Sequence, residues 1–79
     1  MRHKDLSKSF AEILRKQRKQ KKITQETLAE KADIASKMVS LIERGEINPS
    51  LNLMDSLAQS LGLPLSQLIQ ESEAFRKKH

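Results

Sequence analysis

At 79 residues the chain is one small domain, near the lower limit for unaided folding, and its 37% hydrophobic residues can fill a single core. It has no cysteine, which excludes disulfide staples and thiolate metal sites, and no apolar run approaches the ~18–20 residues of a membrane span. The net charge of +5 is uneven, with +7 over residues 1–22, −3 over residues 23–62 and +1 in the remainder, which suits a field directed at a polyanion but equally well a solvated face.

Residues 1–5 read as a flexible basic arm, with Arg2 and Lys4 as its cations. Leu6, Phe10, Ile13, Leu14 and Gln17 then recur at i, i+4, i+7, i+8 and i+11 and mark one face of a helix. Ser7 or Ser9 could cap its start, and Arg15, Lys16, Lys19, Lys21 and Lys22 lie around the other face. This helix should fade near residues 20–22, with Ile23 dropping into the core. Thr24 is a good N-cap for a second helix that places Glu26 in its first turn, favourably against the helix dipole. That helix should end near Ala32, followed by Asp33, a residue that tolerates positive φ. A third helix is expected from Ala35–Ser36 to Gly45, a natural left-handed terminator.

After the short loop 46–49, Ser50 caps a fourth helix whose expected core positions are Leu51, Met54, Leu57, Ala58 and Leu61. Gly62 ends it, Leu63 folds back over its last turn, and Pro64 stops propagation. Leu65 or Ser66 opens a short fifth helix through Leu68 and Ile69, leaving residues 71–79 as a frayed, charged tail. The expected fold is all-α, a compact five-helix bundle, with the folded domain over residues 6–70.

The most informative stretch is 24–45. Two short amphipathic helices flank a break at 32–35, with Leu28, Ala29 and Ala32 on one and Met38, Val39, Leu41 and Ile42 on the other. A break this short could join an antiparallel pair, but apolar Ile34 inside it suits a steep, packed crossing. That is helix-turn-helix geometry, in which the second helix can enter a DNA major groove.

With residues 13–70 laid out this way, the chain resembles the Cro/repressor-type (Xre-type) helix-turn-helix family, whose fold is the lambda-repressor-like DNA-binding domain. The resemblance is carried by Leu14 and Arg18, then Ile23-Thr24-Gln25-Glu26-x-Leu28-Ala29-x-x-Ala32. It continues through Val39-Ser40-x-Ile42-Glu43-Arg44-Gly45, Asn48-Pro49-Ser50-Leu51 and Leu57-Ala58-x-x-Leu61-Gly62. It implies that residues 36–44 form the recognition helix and that Arg18 pairs with Glu43 to lock that helix to the scaffold. Three positions depart from the family pattern. Asp33 stands where Gly is usual, Ala35 where Ser or Thr caps the recognition helix, and Leu53 where a polar residue is common. With Ala35 unable to cap, Ser36 could cap instead.

The resemblance also implies which residues meet DNA. Gln25, at the start of the second helix, is placed like the family's phosphate clamp, where an amide and backbone N–H groups can both point at one phosphate. Ser36, Lys37, Ser40 and Leu41 are the base-reading candidates. Lys37 can donate to guanine O6 and N7, the serines can bond several bases, and Leu41 can touch a thymine methyl. None of the four has the bidentate base preference of Arg, Asn or Gln, so DNA shape should carry part of the specificity. Arg44, Asn48 and Lys19 are expected on the phosphate backbone.

The expected function is that of a sequence-specific double-stranded DNA-binding transcriptional regulator, a repressor or autoregulator, that blocks or recruits polymerase. It would bind a twofold-symmetric operator as a homodimer through Leu53, Leu65 and Ile69. An antitoxin that neutralises a toxin protein while controlling its own promoter is the alternative, and a basic amphipathic helix acting at membranes would leave residues 24–45 unexplained. No enzyme is expected, since the two histidines, His3 and His79, lie in the tails and no nucleophile–base or metal-ligand set can be assembled. No cofactor, metal or membrane partner is expected, and with no signal-peptide core the protein should be soluble and cytoplasmic, nucleoid-associated in a bacterium or phage-infected cell.

Overall fold

Asp5 starts the first helix. In the computed structural model, which describes residues 5–78, its backbone is extended at φ −72°, ψ 115° and its carboxylate accepts a hydrogen bond from the Ser7 N–H at 2.9 Å. Ser7 and Ser9, the expected caps, instead lie inside the helix, and Ser9 is buried. A carboxylate beside unpaired N–H groups is favoured both as an acceptor and by the helix dipole. Apart from Asp5, the expected arm lies outside the described residues.

The helices are α1 (Leu6–Gln20), α2 (Gln25–Ala32), α3 (Ser36–Glu43), α4 (Leu51–Ser60) and α5 (Leu65–Lys78). No strand occurs among the described residues, and no helix there is long and apolar enough to cross a membrane. Thr24 and Ser50 cap α2 and α4, accepting from the N–H groups of Thr27 (3.0 Å) and Leu53 (3.1 Å). Ala35 takes the extended cap geometry before α3 but has no side-chain acceptor. Ser36 is the first helical residue, so the cap is not passed on to it.

The first four helices end in the same way. Lys22, Asp33, Gly45 and Gly62 take left-handed conformations, with φ of 59°, 59°, 72° and 73°. The following N–H groups of Ile23, Ile34, Glu46 and Leu63 bond back to the carbonyls of Arg18, Ala29, Leu41 and Ala58. This wide closing bond satisfies a carbonyl that the helix leaves open, and an apolar residue after the left-handed one usually packs back on the helix. Ile23, Ile34 and Leu63 do so, lying half-buried against the core. Glu46 is the exception.

Phe10, Ile13 and Leu14 of α1 meet Leu28, Ala29, Val39, Ile42, Leu57, Ala58, Leu61 and Leu68 in one core. α1 packs chiefly against α5, α2 against α3 and α4, and α4 against α5. Leu51, expected in this core, is 65% exposed at the first position of α4. There it lies before the turn at which the helix face meets its neighbours.

The short fifth helix and frayed tail are also corrected, because α5 continues to Lys78. Leu68, Ser72 and Phe75, at i, i+4 and i+7, lie on its inner face, with Leu68 and Ser72 fully buried and Phe75 packed against the core. The Ser72 hydroxyl donates to the Leu68 carbonyl at 2.7 Å, which satisfies it without a partner outside the helix. The Glu71 carboxylate accepts from Gln17 of α1 and Gln67 of α5, both at 2.9 Å. These amide bonds, Gln67 first and then Gln17, hold its carboxyl below the usual glutamate range; burial opposes them and Lys16 assists.

Candidate nucleic-acid interface

α3 has one face inside and one outside. Val39, Ile42 and Glu43 are buried, whereas Ser36 and Lys37 are exposed and Ser40 and Leu41 half-buried. At 100° per residue the buried set leaves 36, 37, 40 and 44 on the outer side. Opposite them, the capped start of α2 brings Thr24, Gln25 and Glu26 to the surface. The two meet around an open depression of about 740 Å³ lined by Arg18, Thr24, Gln25, Glu26, Ser36, Lys37, Ser40 and Arg44. First-turn N–H groups of a helix have no intrahelical acceptors, so the α2 end of this depression favours anions.

A polar cluster lies under the depression. Arg18 Nε donates to Glu43 Oε2 at 2.7 Å and its terminal nitrogen donates to Oε1 at 3.0 Å. The second terminal nitrogen donates to the Ile23 carbonyl at 2.9 Å, which ties the α1–α2 turn to the same guanidinium. The Gln25 amide donates to Glu43 Oε1 at 3.0 Å. Donors from α1 and α2 thus converge on one buried carboxylate of α3. An amide nitrogen carries two protons, so the second Gln25 proton is available to a ligand.

A second depression of about 280 Å³ continues the first along α1, lined by Arg15, Arg18, Lys19, Gln25, Ser40, Glu43 and Arg44. It brings Lys19 next to Gln25, Ser40 and Arg44, and adds Arg15, one helical turn before Lys19. The i, i+4 spacing of these two cations was visible in the sequence but lay within a longer basic run. Met38, counted with Val39, Leu41 and Ile42 among the apolar positions of this helix, is 36% exposed.

Leu41 and Asn48 are not among the residues lining either depression. Asn48 is exposed, with its side-chain oxygen 2.7 Å from the Ser7 hydroxyl, which also lies 2.7 Å from Asp5 Oδ1. One hydroxyl proton serves one acceptor at a time, so this link between loop and α1 is easily exchanged. Arg44 Nε pairs with Glu46 Oε2 at 2.8 Å on the surface. Leu53, Leu65 and Ile69, the expected dimer contacts, are each half-buried against the protomer's own core.

Residues 14–68 match the family model for the helix-turn-helix. The chain belongs to the Xre-type helix-turn-helix family. Over 61 residues, 77% of its length, this helix-turn-helix protein is 36% identical to the immunity repressor protein of Bacillus phage phi105. It spans 42% of that repressor's length. The clp gene regulator ClgR from Corynebacterium glutamicum superposes with a TM-score of 0.92 at 25% identity, over 98% of this chain and 82% of that one. The restriction-modification controller protein C.AhdI from Aeromonas hydrophila gives 0.76 at 34% identity, over 78% and 94%.

Proposed function

We propose that this helix-turn-helix protein is a transcriptional regulator that binds double-stranded DNA sequence-specifically, with α3 in the major groove. The carrying observation is the shared depression at the α2 start and the outer face of α3. Gln25, Ser36, Lys37, Ser40 and Arg44 line it together, and beneath it Arg18 of α1 and Gln25 of α2 both bond to Glu43 of α3. In the bound state the α2 N-terminus and Gln25 hold one phosphate, while Arg44, Lys19 and Asn48 hold its neighbours. Ser36, Lys37 and Ser40 then reach base edges, with Leu41 at the margin against a thymine methyl.

A single module of this kind buries about 600–1,000 Å² on DNA, which is modest. A homodimer on a twofold-symmetric operator, with half-sites about 34–36 Å apart, would double it. Leu53, Leu65 and Ile69 remain the proposed contacts, through the apolar surface that their half-burial leaves at the α4–α5 side. Repression or autoregulation follows if the operator overlaps a promoter and the bound dimer excludes polymerase.

Selection of bound duplexes from a randomised library, with purified protein near physiological salt, tests the reading. Recovery of a twofold-related motif with half-sites about one helical turn apart is expected. Binding without any enriched motif would overturn the sequence-specific regulator, and a single unpaired half-site would overturn the dimer.

A further inference from the structure

We infer that Glu46 is an intramolecular counter-ion of Arg44, so that DNA phosphate competes with a carboxylate for this contact. The inference rests on the DNA-binding reading above and adds to it a residue that sets the strength of the backbone grip.

The argument starts from the turn that ends α3. Gly45 is left-handed, and the Gly45 and Glu46 N–H groups bond to the carbonyls of Ile42 and Leu41, both at 3.0 Å. These two bonds fix the backbone on both sides of Gly45 and bring residues 44 and 46 alongside each other. In the matching turns after α1, α2 and α4 the residue at this place is Ile23, Ile34 or Leu63, each packed on the core. Glu46 buries nothing comparable, with 54% of its side chain exposed. Its carboxylate instead faces the Arg44 guanidinium, 2.8 Å from Nε. Packing does not account for the acid, whereas the ion pair does.

The pair occupies part of the proposed interface. Arg44 lines both depressions and directly follows α3. Glu46 holds a negative charge against the Nε edge of the guanidinium. A phosphate has the same charge sign as the carboxylate and competes for the same guanidinium. With 57% of the Arg44 side chain exposed, the pair is weak and screened by salt. It can therefore yield to DNA. Its effect is to lower affinity for every duplex and to reduce the net counterion release, because the freed carboxylate regains a cation as the phosphate loses one.

The test is a double-mutant cycle in the full chain with Glu46→Gln, Arg44→Gln and the double variant, each checked for unchanged helical circular dichroism. Binding to one fixed duplex is measured by fluorescence anisotropy between 50 and 200 mM salt. Glu46→Gln is expected to tighten binding about two- to fivefold at the lower salt, the scale of an exposed ion pair, and to steepen the log–log salt slope by up to about one unit. In the Arg44→Gln background the same change should give less than about a twofold gain, the long-range charge being screened. Equal gains in both backgrounds would overturn the inference, since Glu46 would then act by simple repulsion of DNA. Unchanged affinity and slope in Glu46→Gln would overturn it as well. Failure of the parent protein to bind duplex at any salt would overturn the DNA-binding reading first, and this inference with it.

Discussion

Arg18 of α1 and Glu43 of α3 form a two-point ion pair that joins the two helices, with side chains 11% and 2% exposed. A pair so enclosed is easily disrupted by losing one member, because the other remains as an uncompensated buried charge. Arg18→Met should lower stability by about 3–5 kcal/mol, read as a urea midpoint shift. Replacing both by apolar residues of similar volume, Arg18→Met with Glu43→Met, should be less damaging than the single change, since apolar substitution of a whole buried pair is often neutral. A double variant as unstable as the single one would mean that the Ile23 and Gln25 contacts carry most of the cost.

Lys22 holds a left-handed conformation at φ 59° without being glycine. Such a conformation costs an L-residue roughly 1–2 kcal/mol, against roughly 0.4–1 kcal/mol of extra chain entropy that glycine loses on folding. Lys22→Gly should therefore stabilise the protein by about 0.5–1 kcal/mol, seen as a raised thermal midpoint. Asp33→Gly should do the same, and more weakly, because Asp tolerates this region better than Lys.

Much of this turn chemistry was legible before the structure. Gly45 and Gly62 signal left-handed endings, and Asp33 was readable because the residue type and the missing helical period agree. Lys22 was not, since lysine carries no turn signal and only the backbone pairing of Ile23 with Arg18 reveals it. The extension of α5 was hidden for a different reason. Its inner face runs through Ser72, polar and fully buried, whose hydroxyl is satisfied within the helix, and the surrounding charges masked the period. Gln25 was legible as the first residue of α2 but not as a donor to Glu43, since that bond spans 18 residues and depends on the α2–α3 crossing. Glu46 carried no signal of its own beside Arg44 until Gly45 was seen to fold one onto the other.

Ala35 has cap geometry at φ −71°, ψ 143° but no side-chain oxygen. Ala35→Ser should place a hydroxyl against the open N–H groups of the first α3 turn. The expected gain is about 0.5–2 kcal/mol, measured by urea denaturation. A loss of stability would mean that the α2–α3 turn has no room for a hydroxyl rotamer that reaches those groups.

Acid should loosen the α1–α5 junction. The Glu71 carboxyl is held low by its bonds from Gln67 and Gln17. A carboxyl depressed on folding stabilises the native state above its unfolded value, and that stabilisation is lost as pH falls through the lower folded value. The thermal midpoint should therefore drop once pH passes below about 4.3, the ordinary glutamate value. In Glu71→Gln this part of the acid limb should flatten. Asp5, lowered by its side-chain and backbone bonds from Ser7, should contribute in the same direction slightly further into acid, and Asp5→Asn should remove that share. Identical acid limbs in the parent and Glu71→Gln would show that the amide bonds do not persist in solution.

The division of labour across the α2–α3 depression predicts two different kinds of defect. Lys37 is exposed at the second position of α3, where a side chain in the major groove meets base edges. Lys37→Ala should change which duplexes are preferred, costing about 1–3 kcal/mol at one operator position and little elsewhere. Gln25 stands at the start of α2, at the proposed phosphate contact, so Gln25→Ala should weaken all duplexes nearly alike. Because Gln25 also donates to Glu43, its variant should lose some stability too, and binding must be compared well below its melting temperature. Selection of bound sequences with each variant separates the two roles. If Lys37→Ala keeps the parent motif and loses affinity uniformly, Lys37 is a phosphate contact, and the base reading passes to Ser36, Ser40 and Leu41.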